Sequence, residues 1–147
     1  MISVWGGCSK ELLESLQKVQ NRAARVITKN DWSVGTKENL KQIGWLSVHQ
    51  LVQYHDILLL HKVIKSGQPR NLHNMDSYVY LQQTRQATSG AVKPIGIPKL
   101  DIAKNSFRWR AAETYNKIPL EVIKMEDSNK FKKEIKSWIM NNSTIRR

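Results

Sequence analysis

The chain has 147 residues, 24 Lys and Arg against 12 Asp and Glu, and a single cysteine. A chain of this length buries about two-thirds of its unfolded surface, and its 40% hydrophobic content argues against wholesale disorder. The lone thiol, Cys8, excludes a disulfide framework and any multi-cysteine metal centre, while the net charge of +12 favours a polyanionic partner.

The first predicted element is a helix from Ser9 to Thr28. Ser9 suits the N-cap, and Glu11 and Glu14 suit the positive end of the helix dipole. At about 100° per residue, Leu12, Leu16, Val19, Ala23, Val26 and Ile27 share one apolar arc, the face expected to meet the core. Lys18, Arg22, Arg25 and Lys29 form a basic stripe on the opposite face, within an arc of roughly 60°. Asn30 to Gly35 reads as a connector. Thr36 is placed to cap a short helix ending at Ile43, with Gly44 suited to the left-handed stop.

Ser47 followed by Gln50 is a capping box that opens a helix to Lys65, ended by Gly67 and Pro69. This helix is apolar on most sides, from Val48 through Leu58 to Ile64, yet too short to span a bilayer. It is therefore expected at the centre of the core. Residues 66–101 hold three of the four prolines, three glycines and no helical period. There Ile95, Ile97 and Ile102 flank Pro94, Gly96 and Pro98, which fits an edge strand or hairpin arm. From Asn105 the run alternates through Phe107 and Trp109, then turns helical through Ala111, Ala112 and Tyr115. Pro119 suits the first turn of a brief helical segment. Asp127 or Ser128 caps a last helix whose apolar stripe is Phe131, Ile135, Trp138 and Ile139, with Lys132, Lys133 and Lys136 beside it.

The predicted fold is thus mainly α: a small single domain of four to six helices around a buried central helix, with a long basic loop and a short β element. Its parts divide at 1–67, 68–104 and 105–147. No apolar run reaches the roughly 18 residues of a membrane span and no signal-peptide pattern opens the chain. The expected setting is intracellular, in nucleus or cytoplasm, with no secretion and no membrane partner.

A search for chemistry is mostly negative. No phosphate loop, dinucleotide fingerprint or paired-aspartate metal motif is present. Asp31, Asp56, Asp76, Asp101 and Asp127 are isolated and read as caps or surface residues. His49, His55 and His61 recur every six residues, which does not place them on one helix face as metal ligands; His73 stands apart. No catalytic residue, metal or cofactor is expected. The positive signal is cations among aromatics. In SFRWR, Arg108 and Arg110 alternate with Phe107 and Trp109; if extended, two guanidinium groups face one side and two rings the other. Arg85, Lys93, Lys99 and Lys104 supply further phosphate-binding candidates. Trp5, Trp32, Trp45 and Trp138 are expected to pack rather than to stack on bases.

The run VWGGCSKELLESLQKVQNRAARVIT at Val4–Thr28 resembles the stretch that follows the polymerase core of non-LTR retrotransposon reverse transcriptases, above all the jockey-like elements. The likeness continues through Thr36–Pro69, TRQATSG at Thr84–Gly90, KNSFRWRAAETYNKIPLEV at Lys104–Val122 and FKKEIKSWI at Phe131–Ile139. The resemblance implies the thumb-like, C-terminal part of an RNA-directed DNA polymerase from a mobile element. The family's palm carries a Tyr/Phe-x-Asp-Asp motif, and no Asp-Asp dipeptide occurs here, so polymerisation is not carried over. A thumb helix tracks template and primer, which makes Lys18, Arg22, Arg25 and Lys29 the first candidates for phosphate contact. Arg85, Lys93, Lys104, Arg108, Trp109 and Arg110 are the second group. The expected partners are RNA, DNA or their hybrid. The alternatives are a module that docks on the parent polymerase core or self-associates, and a decayed fragment with no function of its own.

Overall fold

The computed structural model describes residues 2–68, 78–80, 92–94 and 100–142, and every structural statement below concerns those residues. The chain is mainly helical, as its periodicity predicts. The order is α1 (Ile2–Trp5), α2 (Lys10–Thr28), α3 (Thr36–Gln42), α4 (Val48–Ser66), β1 (Tyr78–Tyr80), β2 (Val92–Pro94), α5 (Asp101–Lys104), α6 (Phe107–Tyr115), α7 (Leu120–Ile123) and α8 (Ser128–Asn141). Five of these helices have seven residues or more, and the other three are single turns.

α4 is the axis of the fold, and its ends are set by the residues expected to set them. The Ser47 hydroxyl accepts from the Gln50 amide at 3.3 Å, and the Gln50 carboxamide oxygen accepts from the Ser47 amide at 2.9 Å. Two of the first-turn donors are thereby satisfied at once. At the other end Gly67 takes φ 63°, a left-handed value that a residue without Cβ adopts at little cost. Val52, Ile57, Leu60 and Val63 are buried along the helix. α6 and α8 pack on α4, so Ile57 and Leu60 meet Ala111, Ala112 and Tyr115 from one and Phe131, Ile135 and Ile139 from the other. Each fully buried aliphatic side chain contributes about 1.5–3 kcal/mol. The small residues Ala111 and Ala112 let α6 approach α4 closely. A second cluster joins Leu13 of α2 to Val48 and Val52, with Ile2 and Cys8 packed against it.

A β element is present as a two-stranded antiparallel ladder in which Tyr78, Val79 and Tyr80 pair with Pro94, Lys93 and Val92, upstream of the Ile95–Ile102 run expected to carry it. Pro94 costs no ladder bond on an open side, since each strand of such a pair has a free edge. Ile95 and Ile97 lie outside the described residues. Ile102 belongs to α5 and is exposed rather than part of an extended arm.

Three expectations are corrected. The run SFRWR is not extended: Phe107 to Tyr115 form α6, so Arg108 and Arg110 diverge by about 200° instead of sharing a face. Asp56 is neither a cap nor a surface residue, being 1% exposed in the middle of α4. Ser9 does stand at the N-cap of α2, with extended backbone, though its hydroxyl makes no capping bond. Gly35, not Thr36, stands at the N-cap of α3.

The largest correction concerns α2. Its predicted core arc faces outward, with Leu12, Leu16, Val19, Val26 and Ile27 between 46% and 78% exposed. The face that packs on α3 and α4 holds Leu13, Ala24 and the half-buried amides Gln17, Gln20 and Asn21. The reason lies at the start of α4. The first amides of α4 lack intrahelical acceptors, and the Gln17 carboxamide oxygen accepts from the Val48 amide at 2.7 Å. Gln17 Nε2 in turn donates to Gln20 Oε1 at 2.9 Å and to Asn21 Oδ1 at 2.8 Å, while Gln20 Nε2 donates to the Leu46 carbonyl at 2.8 Å. A ladder of amides, not an apolar stripe, docks α2.

Candidate nucleic-acid interface

Lys18, Arg22, Arg25 and Lys29 share one lateral strip of α2, as their spacing requires. Lys18, Arg22 and Lys29 are exposed, and Arg25 is half-buried, its Nε covered and without a hydrogen-bond partner among the described residues. The helix carries no carboxylate after Glu14, and the one ion pair it makes, Lys10 with Glu14 at 3.8 Å, lies upstream of the strip. The four cations span about 16 Å of helix axis. Because the buried face of α2 is the amide face, the strip lies about 130° away from the protein body and points into solvent.

The far end of the strip is held in an uncommon conformation. Lys29 closes α2 with φ 54°, a left-handed value that disfavours a side chain with a Cβ. The turn behind it is fixed by Asn30, whose Nδ2 donates to Asn39 Oδ1 at 2.7 Å and to Gln42 Oε1 at 2.9 Å. The Thr28 hydroxyl donates back to the Ala24 carbonyl at 3.0 Å. Asn39 is fully buried, and its Nδ2 has no hydrogen-bond partner among the described residues.

The second group of candidates is dispersed. Arg110 is a correction: it is 5% exposed and cannot reach a phosphate. Its Nε donates to Asp56 Oδ2 at 2.7 Å and its Nη2 to Asp56 Oδ1 at 3.3 Å; Nη1 donates to the Asn105 carbonyl at 2.6 Å and Nη2 also to the Ser3 carbonyl at 3.1 Å. Arg108 and Trp109 are half-buried on α6, and Phe107 packs on the core. Lys104 is exposed on α5. Lys93 lies on β2, a strand in contact with α6, whereas Arg85 and Lys99 fall outside the described residues. Trp32 is 80% exposed and does not pack as expected, Trp5 and Trp45, each 39% exposed, are covered over most of their surface, and Trp138 is half-buried against the core.

One basic feature has no counterpart in the sequence reading. A cleft of about 600 Å³ between α4 and α8 is bordered by His55, Lys62 and Lys65 on one side and Phe131 and Lys132 on the other. Lys62 and Lys132 are 70 residues apart in the chain, so no local motif announces their meeting. Lys65 Nζ donates to the Met125 carbonyl at 2.6 Å. His61 lies at the bottom, stacked on Phe131 with ring centroids 3.8 Å apart and Nδ1 3.0 Å from the Tyr115 hydroxyl. Burial, reinforced by the Lys65 charge, pulls the imidazole down from 6.5 to about 4.

That shift has a sign that can be measured. Between about pH 6.5 and 4 the unfolded chain binds the His61 proton and the folded chain does not. Stability from this residue is complete above pH 6.5 and declines as pH falls through the window. The expected loss is about 1–2 kcal/mol, solvent screening of the partly exposed ring included. Urea midpoints of the wild type and His61→Gln, taken from pH 7 to pH 4, should converge as pH falls. Parallel curves would show that His61 titrates alike in both states.

Among the described residues no three His, Cys, Asp or Glu side chains are grouped to hold a metal ion, and no helix is long and apolar enough to cross a membrane. Compared with protein-family models, curated proteins and solved structures, the chain matches none.

Proposed function

We propose that the chain binds RNA, DNA or their hybrid through the phosphate backbone, with little base readout and no catalysis of its own. In this reading it is the thumb-like C-terminal part of a jockey-like non-LTR reverse transcriptase. The observation that carries the proposal is the strip Lys18, Arg22, Arg25 and Lys29, four cations in line on a solvent-facing helix side with no carboxylate among them. Such a strip meets phosphates, which repeat along a strand, and reads no base edges. The lysines bordering the α4–α8 cleft add a second phosphate-binding area.

The test is a salt titration of binding to an RNA–DNA hybrid duplex. Replacing Lys18, Arg22, Arg25 and Lys29 together by Gln should flatten the slope of log K against log salt by about 3–4, at roughly 0.9 per phosphate. Lys18, Arg22 and Lys29 are exposed and only Arg25 is half-buried, so folding should be retained and is checked by circular dichroism, with the triple variant that keeps Arg25 as the control. An unchanged slope would assign the binding elsewhere.

The second reading is an interaction module that docks on a polymerase core or self-associates. The exposed apolar arc of α2 favours it.

A further inference from the structure

Leu12, Leu16, Val19, Ala23 and Val26 follow one another at intervals of four, three, four and three residues, and all five are exposed. This is the 3.5-residue repeat of a coiled-coil seam, narrower than the stripe by which a helix joins a globular core. With Ile27 at its border the seam presents roughly 500 Å² of apolar surface, within the size range of the largest patch on a soluble chain, which is often a contact site.

We propose that this seam is a dimer interface, in which α2 packs antiparallel against α2 of a second copy. The proposal does not rest on nucleic-acid binding. Volume chooses the direction. Antiparallel layers set Leu12 against Ala23 of the second copy and Leu16 against Val19, so large side chains meet smaller ones. A parallel pair would set Ala23 against itself and leave a void in the seam.

Charge points the same way. Glu11 lies on the same edge of α2 as Lys18, Arg22 and Arg25. Running antiparallel brings Glu11 beside Arg22 and Arg25 of the second copy, and two-fold symmetry repeats the contact. A parallel pair keeps those edges apart. Buried in full, two seams would remove on the order of 1,000 Å², the lower limit of a specific interface, so a weak dimer is expected. Leu13, Gln17, Gln20 and Ala24 hold the protein body about 110° around the helix from the seam, so α3 and α4 leave the approach open.

The test uses the full chain, treated with nuclease, in sedimentation equilibrium across the micromolar range. A dimer mass is expected, and Leu16→Lys with Val19→Lys should weaken association by about 100-fold or more. Both positions are exposed, so circular dichroism should stay unchanged. Direction is read on a Cys8→Ser background by oxidising chains that carry Leu12→Cys or Ala23→Cys. A disulfide should form in the mixture and not in either chain alone. A monomer at every concentration, a lysine variant that dimerises as tightly, or a disulfide between two copies of Ala23→Cys would overturn the proposal. So would a chain that remains monomeric and pellets with anionic phospholipid vesicles, which would assign the seam to a membrane surface.

Discussion

Replacing Asp56 by Ala is expected to destabilise the fold by about 3–5 kcal/mol, a large part of what holds a domain of this size together. Among the described residues Asp56 is the only carboxylate that the Arg110 guanidinium reaches, through Nε at 2.7 Å and Nη2 at 3.3 Å. Without it a positive charge stays buried, facing only the Ser3 and Asn105 carbonyls. The backbone cannot open to water there without cost, because Gly7 lies against the same group. A Cβ at Gly7 would come within 2.6 Å of the Asn105 oxygen and 3.0 Å of Arg110 Nη1. Urea denaturation read by circular dichroism gives the loss. The double variant Asp56→Ala with Arg110→Met should recover a substantial part of it, since removing both charges abolishes the stranded one. A single variant within 1 kcal/mol of wild type would mean that water reaches Arg110.

Phe131→Ala is the second large effect, about 3–5 kcal/mol. The ring is 2% exposed where α8 meets α4, stacked on His61 at an interplanar angle of 16°. Truncation removes the contact that closes the core beneath the cleft and leaves a void lined by Ile57, Leu60 and Ile135. It also uncovers the imidazole, so the His61 pKa should climb from about 4 back toward 6.5. Proton NMR of the His61 ring against pH reads that movement separately from stability. A destabilised variant whose His61 still titrates near 4 would assign the shift to Lys65 instead of burial.

The legible parts of the fold were those governed by local rules. Ser47 with Gln50, Gly44, Gly67 and Asp127 set their helix ends as spacing predicts, because each acts within one turn. Phe131, Ile135 and Ile139 lie inside because nothing competes for the inner face of α8. The sequence misled where a partner outside the segment decided. On α2 the hydrophobic arc was read as the core face, yet the unsatisfied amides at the start of α4 bind Gln17 instead. In SFRWR two alternating rings suggested a strand, while the next five residues carry a helix that extends back to Phe107. The basic strip was legible in position, since it depends on spacing alone. Its surroundings were not: Arg110 left the candidate set because Asp56 lies 54 residues away. The lysines of the α4–α8 cleft were missed for the same reason.

Arg110 also has a consequence for the chain as a unit. Its fork closes on Asn105, Asp56 and Ser3, at sequence separations of 5, 54 and 107 residues. No one segment can satisfy it, and the farthest partner lies in the first turn of the chain. The guanidinium therefore ties α1, α4 and α6 into one unit. A copy cut short before α6, or lacking α1, carries either an orphaned carboxylate or an under-bonded cation in its interior. Such copies are expected to open more often and to expose their backbone to proteases.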